Sequence, residues 1–199
     1  MLTDWPGRFQ PGKINPERQT TGVDREDLGG MAMRRAVCSG SFDPVTKGHL
    51  DIIERASRMF DEIIVCVFFN PTKDKALFTP EERVAMLKTA TFHLPNVKVT
   101  SYSGLLNDFC VTREAPFIVR GLRAFTDFEY EFQRALLLKK MNETLETVFI
   151  MTKAEYSYIS SSGVREILTF DGDINMLVPN EVGKQIHDFL KHKDWEPCD

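Results

Sequence analysis

From Arg34 onward the chain alternates short apolar runs with stretches of helical period, and few architectures accommodate that alternation. Residues 36–38, 63–69, 97–102, 117–119 and 148–151 are rich in apolar and β-branched side chains, the composition of strands covered on both faces. Between the first two runs, Leu50, Ile52, Ile53, Ala56, Met59 and Phe60 recur at helical spacing, so "GHLDIIERASRMF" predicts a helix opening at Gly48-His49. In "TPEERVAMLKTATFHL", Thr79 predicts an N-cap, Pro80 suits the first helical position and Glu82 completes a capping box. A short helix is expected through "LLNDFCVTR". A longer one is expected through "FEYEFQRALLLKKMNE", with Leu136, Leu137 and Met141 on one side. Two more helices should follow, one after Ser160 to Ser162 and one after Pro179.

Strands and helices in alternation predict an α/β fold, a Rossmann-like, doubly wound sheet of five parallel strands. The 199 residues suit one such domain, assigned to residues 34–193, with residues 194–199 as a tail. Residues 1–33 are rich in Pro, Gly and charge and lack the apolar core of a signal peptide. They read as a flexible extension, with Met31 and Met33 as alternative starts.

The formal net charge of -4 gives no general attraction to nucleic acid, so any phosphate site must be local. The run Ile63 to Phe69 is far short of the roughly 20 residues that cross a bilayer as a helix, so no membrane association is expected. Cys38, Cys66, Cys110 and Cys198 are widely spaced with no CxxC pair. They read as buried thiols of a reducing cytoplasm rather than zinc ligands or disulfides.

Three segments carry polar chemistry. In "AVCSGSFDPVTKGH" the turn after the first strand brings Gly40, Ser41 and Phe42 to the carboxyl edge of the sheet. The next helix offers its N-terminus, with His49 in its first turn, to an anion. In "YSYISSSGVR" one serine suffices as a cap, but three hydroxyls before a helix, with Arg165 a turn later, suit a triphosphate. Arg120 and Arg123 stand at the end of a predicted strand with Gly121 between them, a pair suited to phosphate oxygens.

Thr46-Lys47-Gly48-His49 resembles the T/H-x-G-H signature of the nucleotidyltransferase superfamily, and the late serine loop is its expected second element. "RGLRAFTDFEYE" is similar to the signature of the phosphopantetheine adenylyltransferase family, and the likeness runs from about Arg35 to about Lys191. The resemblance implies the nucleotidyltransferase fold and transfer of the adenylyl group of ATP to 4'-phosphopantetheine. The products would be dephospho-coenzyme A and pyrophosphate, with magnesium required but no ligand for it assigned.

By the same resemblance, His49, Ser41, Lys73 and Arg120 would act on the transferring phosphate. Ser41, Phe42, His49, Gly121, Leu122, Arg123 and Glu131 would contact ATP, joined by Tyr156, Ser157, Tyr158, Ile159, Ser160, Ser161 and Ser162. Ser41, Lys73, Leu106 and Arg120 would contact phosphopantetheine. Leu106 rests on the resemblance alone, since its own context is that of a core residue in a short helix. Cys38-Ser39 stands where many members carry an aromatic or aliphatic residue followed by proline, Ser41 replaces a commoner threonine, and Gly104 replaces an aspartate found in some. The resemblance also implies a homohexamer inhibited by coenzyme A. Two other readings are a nicotinamide mononucleotide adenylyltransferase, which would lack the R-G-L-R segment, and a silent nucleotide-binding module.

Overall fold

The computed structural model describes residues 33–70 and 76–193. The extension through residue 32, the segment carrying Lys73, and the tail with Cys198 lie outside the described residues.

Five strands form one parallel sheet: β1 (Arg35–Gly40), β2 (Glu62–Phe68), β3 (Val97–Tyr102), β4 (Phe117–Leu122) and β5 (Glu146–Met151). Their order is β3-β2-β1-β4-β5, so the direction of winding reverses between β1 and β4. At such a reversal the loops leaving the two strands part, opening a crevice at the carboxyl edge. The strands are those expected from the sequence, with one consequential extension. β4 runs three residues further, carrying Arg120 and Gly121 inside the ladder opposite Phe149 and Ile150 of β5.

Among the described residues six α-helices connect and flank the strands: α1 (Lys47–Met59), α2 (Pro80–Thr91), α3 (Leu106–Thr112), α4 (Phe125–Met141), α5 (Ser161–Thr169) and α6 (Asn180–His192). One face of the sheet is sealed by a large apolar cluster that includes Ile52 and Ile53 of α1, Met86 of α2, Val164 of α5 and Ile186 of α6. The other face is sealed by a smaller cluster around Val37, Ile64, Ile118 and Phe109 of α3, with Leu138 of α4 against it. The lopsided covering leaves much of α4 in solvent: Leu136, Leu137 and Met141 are all exposed.

The caps follow local chemistry. Thr79 and Glu82 form the expected capping box, Glu82 N–H donating to Thr79 Oγ1 at 3.2 Å and Thr79 N–H to Glu82 Oε2 at 2.7 Å. α1 begins one residue earlier than its period suggests because Thr46 is its N-cap. Cys38, Cys66 and Cys110 are buried free thiols, and burial pushes Cys38 up to about 11 and Cys66 up to about 12.

Candidate active site

A cleft of about 590 Å³ opens at the carboxyl ends of β1 and β4, where the sheet changes direction. Its floor is the turn after β1. Phe42 takes a positive φ of 48°, uncommon for a bulky side chain, and its ring folds back over Gly40. A Cβ on Gly40 would come within 3.1 Å of that ring, so glycine there accommodates Phe42 rather than a ligand's close approach. The Phe42 ring also meets that of His49 in an edge-to-face contact, with centroids 5.1 Å apart.

His49 occupies the third position of α1, where a capping box usually carries Glu or Gln. Its backbone N–H donates to Thr46 Oγ1 at 3.3 Å, and the Thr46 backbone N–H donates to His49 Nδ1 at 3.1 Å. A nitrogen that accepts from an amide carries no proton, so the neutral ring holds its proton on Nε2. Burial and the nearby Arg123 charge push the imidazole down to about 4. His49 is therefore a neutral donor through Nε2–H, and the residue lines the cleft. The sequence placed His49 near an anion; the N-cap contact that selects its tautomer is visible only in three dimensions.

β4 supplies the opposite wall. Arg120 is nearly buried, donates from Nη1 to the carbonyl of Ser39 at 2.7 Å, and faces Glu131 of α4 with Nε 3.1 Å from Oε2. Arg123 joins two segments, donating to both carboxylate oxygens of Asp127 and, from Nη1, to the carbonyl of Ile159 at 3.2 Å. Gly121 turns its Cα toward α1, where a Cβ would lie 2.9 Å from Ile52 Cγ1. Its lack of a side chain thus lets α1 approach the sheet, not a phosphate.

The serine loop divides its work unevenly. Ser160 is the N-cap of α5, accepting from Gly163 N–H at 3.0 Å, and Ser161 Oγ donates to the carbonyl of Pro44 at 2.8 Å. Ser162 Oγ accepts only from Arg165 Nη2, at 3.3 Å. Two of the three hydroxyls are tied to backbone groups, whereas exposed Ser162 is held only by the Arg165 side chain, so Ser162 and the N-terminus of α5 are the parts most open to a ligand.

Behind the floor, Asp43 is buried. Its carboxylate accepts from the N–H groups of Leu77 and Phe78, each at 3.0 Å, and from Arg165 Nη1 at 3.2 Å. Buried Arg83 donates to the carbonyl of Ser41 at 3.2 Å. Neither role has a local sequence signal, because the partners lie 34, 122 and 42 residues away. Ser39 stays within β1 in register with Cys66, and its buried hydroxyl has no partner among the described residues.

Most of the expected site converges here. Ser41, Phe42, His49, Arg120, Gly121 and Arg123 line the cleft, as do Glu131, Ile159 and the three serines. Leu122 is buried beneath it, and Leu106 packs against the smaller core cluster. Tyr156 lies at a separate small groove with Lys47 and Asp51, while Ser157 and Tyr158 are exposed outside the cleft. Lys73 is outside the described residues. The lining charges are four arginines (120, 123, 134 and 165) against Asp127 and Glu131, a balance that favours a polyanion.

The cytidylyltransferase-like family matches residues 37–167 of the chain. A phosphopantetheine adenylyltransferase of Clostridium novyi is 51% identical over 154 residues, covering 77% of this chain and 95% of that protein. One of Clostridium kluyveri is 52% identical over 162 residues, covering 81% and 96%. Among solved structures, a Vibrio parahaemolyticus protein assigned as a nicotinate-nucleotide adenylyltransferase superposes with a TM-score of 0.60 at 18% identity. It covers 79% of this chain and 93% of its own, a likeness of fold.

Proposed function

The chain belongs to the phosphopantetheine adenylyltransferase family, and from that membership we propose how the cleft performs the reaction. The protein is a nucleotidyltransferase that moves the adenylyl group of ATP to 4'-phosphopantetheine, giving dephospho-coenzyme A and pyrophosphate. An oxygen of the acceptor's phosphate attacks the α-phosphorus of ATP, and the bond from that phosphorus to the β-phosphate bridging oxygen breaks. The attacking oxygen is already anionic, so no side chain needs to remove a proton, and the protein's task is positioning and charge neutralisation.

The observation that carries this reading is the tautomer of His49. A neutral imidazole with its proton fixed on Nε2 is a donor at the start of α1, available to the α-phosphate oxygens as negative charge builds on them. Arg123, Ser162 and Arg165, with the N-terminus of α5, form the polyphosphate side. Arg120 and Ser41 form the acceptor side, and the family resemblance assigns Lys73, outside the described residues, to the same substrate. Leu106, which packs against the smaller core cluster and does not line the cleft, is assigned to the acceptor by the family resemblance alone. The nucleoside lies toward α4, with Glu131, the Gly121–Leu122 backbone and Ile159 around it, while Tyr156, Ser157 and Tyr158, outside the cleft, are assigned to ATP by the family resemblance alone.

Asp127 and Glu131, the carboxylates of the cleft, are engaged by Arg123 and Arg120. Among the described residues no group of three or more His, Cys, Asp or Glu could hold a metal ion. By the family resemblance magnesium enters the reaction with the ATP substrate, whose phosphates can hold it, and turnover should stop when the ion is chelated. No described helix is long and apolar enough to cross a membrane; a cytoplasmic site of action is part of the proposal from the family resemblance. The family resemblance extends the proposal to a homohexamer and to inhibition by coenzyme A at the same cleft.

The test is to supply ATP and magnesium with phosphopantetheine in one reaction and nicotinamide mononucleotide in another, and to measure pyrophosphate. Release is expected only with phosphopantetheine. Release only with the mononucleotide would replace this reading by the other adenylyl transfer, and binding of ATP with no release in either would leave the silent module.

A further inference from the structure

Arg134 lies on α4 one turn beyond Glu131 and lines the same cleft, without a part in the reaction described so far. Its guanidinium rests over the ring of Tyr130, 5.5 Å from the centroid, which steadies an otherwise half-exposed side chain. Its Nη1 is 3.7 Å from Glu131 Oε1, while the other oxygen of that carboxylate, Oε2, is 3.1 Å from Arg120 Nε. One carboxylate therefore lies between two guanidiniums, Arg120 in the wall and Arg134 toward solvent.

The carboxylate is only loosely committed to Arg120. Oε2 is buried yet receives no aligned hydrogen bond, so the contact is an ion pair without the geometry of a strong one. Meanwhile Arg120 has given Nη1 to the carbonyl of Ser39. Glu131 thus occupies the edge of Arg120 that an incoming phosphate would need for a two-point contact. An anion can take that edge only if Glu131 has somewhere else to go, because a buried carboxylate stripped of its cation is unfavourable.

We propose that Arg134 is a positioning residue for the acceptor: it receives the Glu131 carboxylate when the acceptor's phosphate docks on Arg120. No covalent bond changes in this step; one ion pair is exchanged for another, and the buried guanidinium passes from an internal carboxylate to the substrate. The inference rests on the adenylyl-transfer reading for the identity of the anion. Arg134 is half exposed, so its replacement leaves the core intact.

The experiment compares Arg134→Met and Arg134→Lys with the unaltered protein, measuring KM for phosphopantetheine and for ATP, and inhibition by pantetheine, which lacks the phosphate. Arg134→Met should raise the acceptor KM about fivefold, the effect of losing a partly exposed ion pair, with KM for ATP and kcat little changed. Arg134→Lys should stay close to the unaltered protein, because the charge is kept, and the pantetheine inhibition constant should not move. An unchanged acceptor KM in Arg134→Met overturns the proposal. So does a rise confined to ATP, or an equal loss for pantetheine. If the unaltered protein does not turn over phosphopantetheine, the enzymatic reading fails by itself. Calorimetric binding of phosphopantetheine to both proteins then decides the role of Arg134, and equal affinities would overturn it.

Discussion

His49 is held neutral by burial and by the charge of Arg123, and its Nδ1 by the amide of Thr46. The unfolded chain takes up this proton near pH 6.5, the folded protein only near 4. Over that interval the unfolded state binds more protons, so stability falls as pH drops from 6.5 toward 4 and is level above it. Urea unfolding midpoints should show this decline, and the decline should be smaller in His49→Ala. For the same reason kcat should show no titration of His49 near neutral pH. His49→Ala should lower kcat about 10²-fold to 10³-fold with ATP affinity largely kept, a split that steady-state kinetics with direct ATP binding resolves. Turnover undiminished by that substitution would remove His49 from the proposed chemistry.

The packing of α1 against β4 sets where His49 sits, and Gly121 sets the packing. A methyl there would press on Ile52 Cγ1 at 2.9 Å, so Gly121→Ala should cost about 1–3 kcal/mol and reduce kcat by displacing the helix that carries His49. Adding Ile52→Ala removes the clash and should return part of kcat while lowering stability further, because the deleted side chain is buried. Asp43 performs the corresponding task between the β1 turn, the Leu77–Phe78 backbone and α5. Its replacement by alanine strands the Leu77 and Phe78 amides, while Arg165 keeps the Asp43 carbonyl and Ser162, and should cost about 1–3 kcal/mol per stranded amide, read from urea unfolding.

At the scale of the whole molecule, the helices divide unequally between the two faces of the sheet, and α4 carries the consequence. Phe132, Leu136, Leu137 and Met141 are 44%, 56%, 62% and 48% exposed, and the ring of Phe132 stacks on that of Phe128, so one helix displays an apolar surface larger than isolated exposed residues explain. The proposed homohexamer would use this face as the place where copies meet. Light scattering on the eluted protein should give a mass several times that of one chain, and Leu137→Glu should lower it toward the monomer. A monomeric mass for the unaltered protein would remove the assembly from the proposal.

The sequence by itself determined the alternation of strand and helix, the capping of α2, the parallel sheet and the glycine-histidine start of α1. Each of these is written in residues a few positions apart, through period, cap chemistry or turn geometry. It also carried the family's motifs, and with them most of the residues that line the cleft. Only the tertiary structure decided that Gly40 makes room for Phe42 and Gly121 for Ile52, and that two of the three loop serines bond to backbone groups. It also decided that Asp43 gathers three distant segments and that Glu131 stands between Arg120 and Arg134. These facts depend on which side chains meet after the chain has crossed from β1 to β4. Local composition constrains that meeting weakly, because close packing and buried charge are properties of the assembled neighbourhood rather than of any one segment.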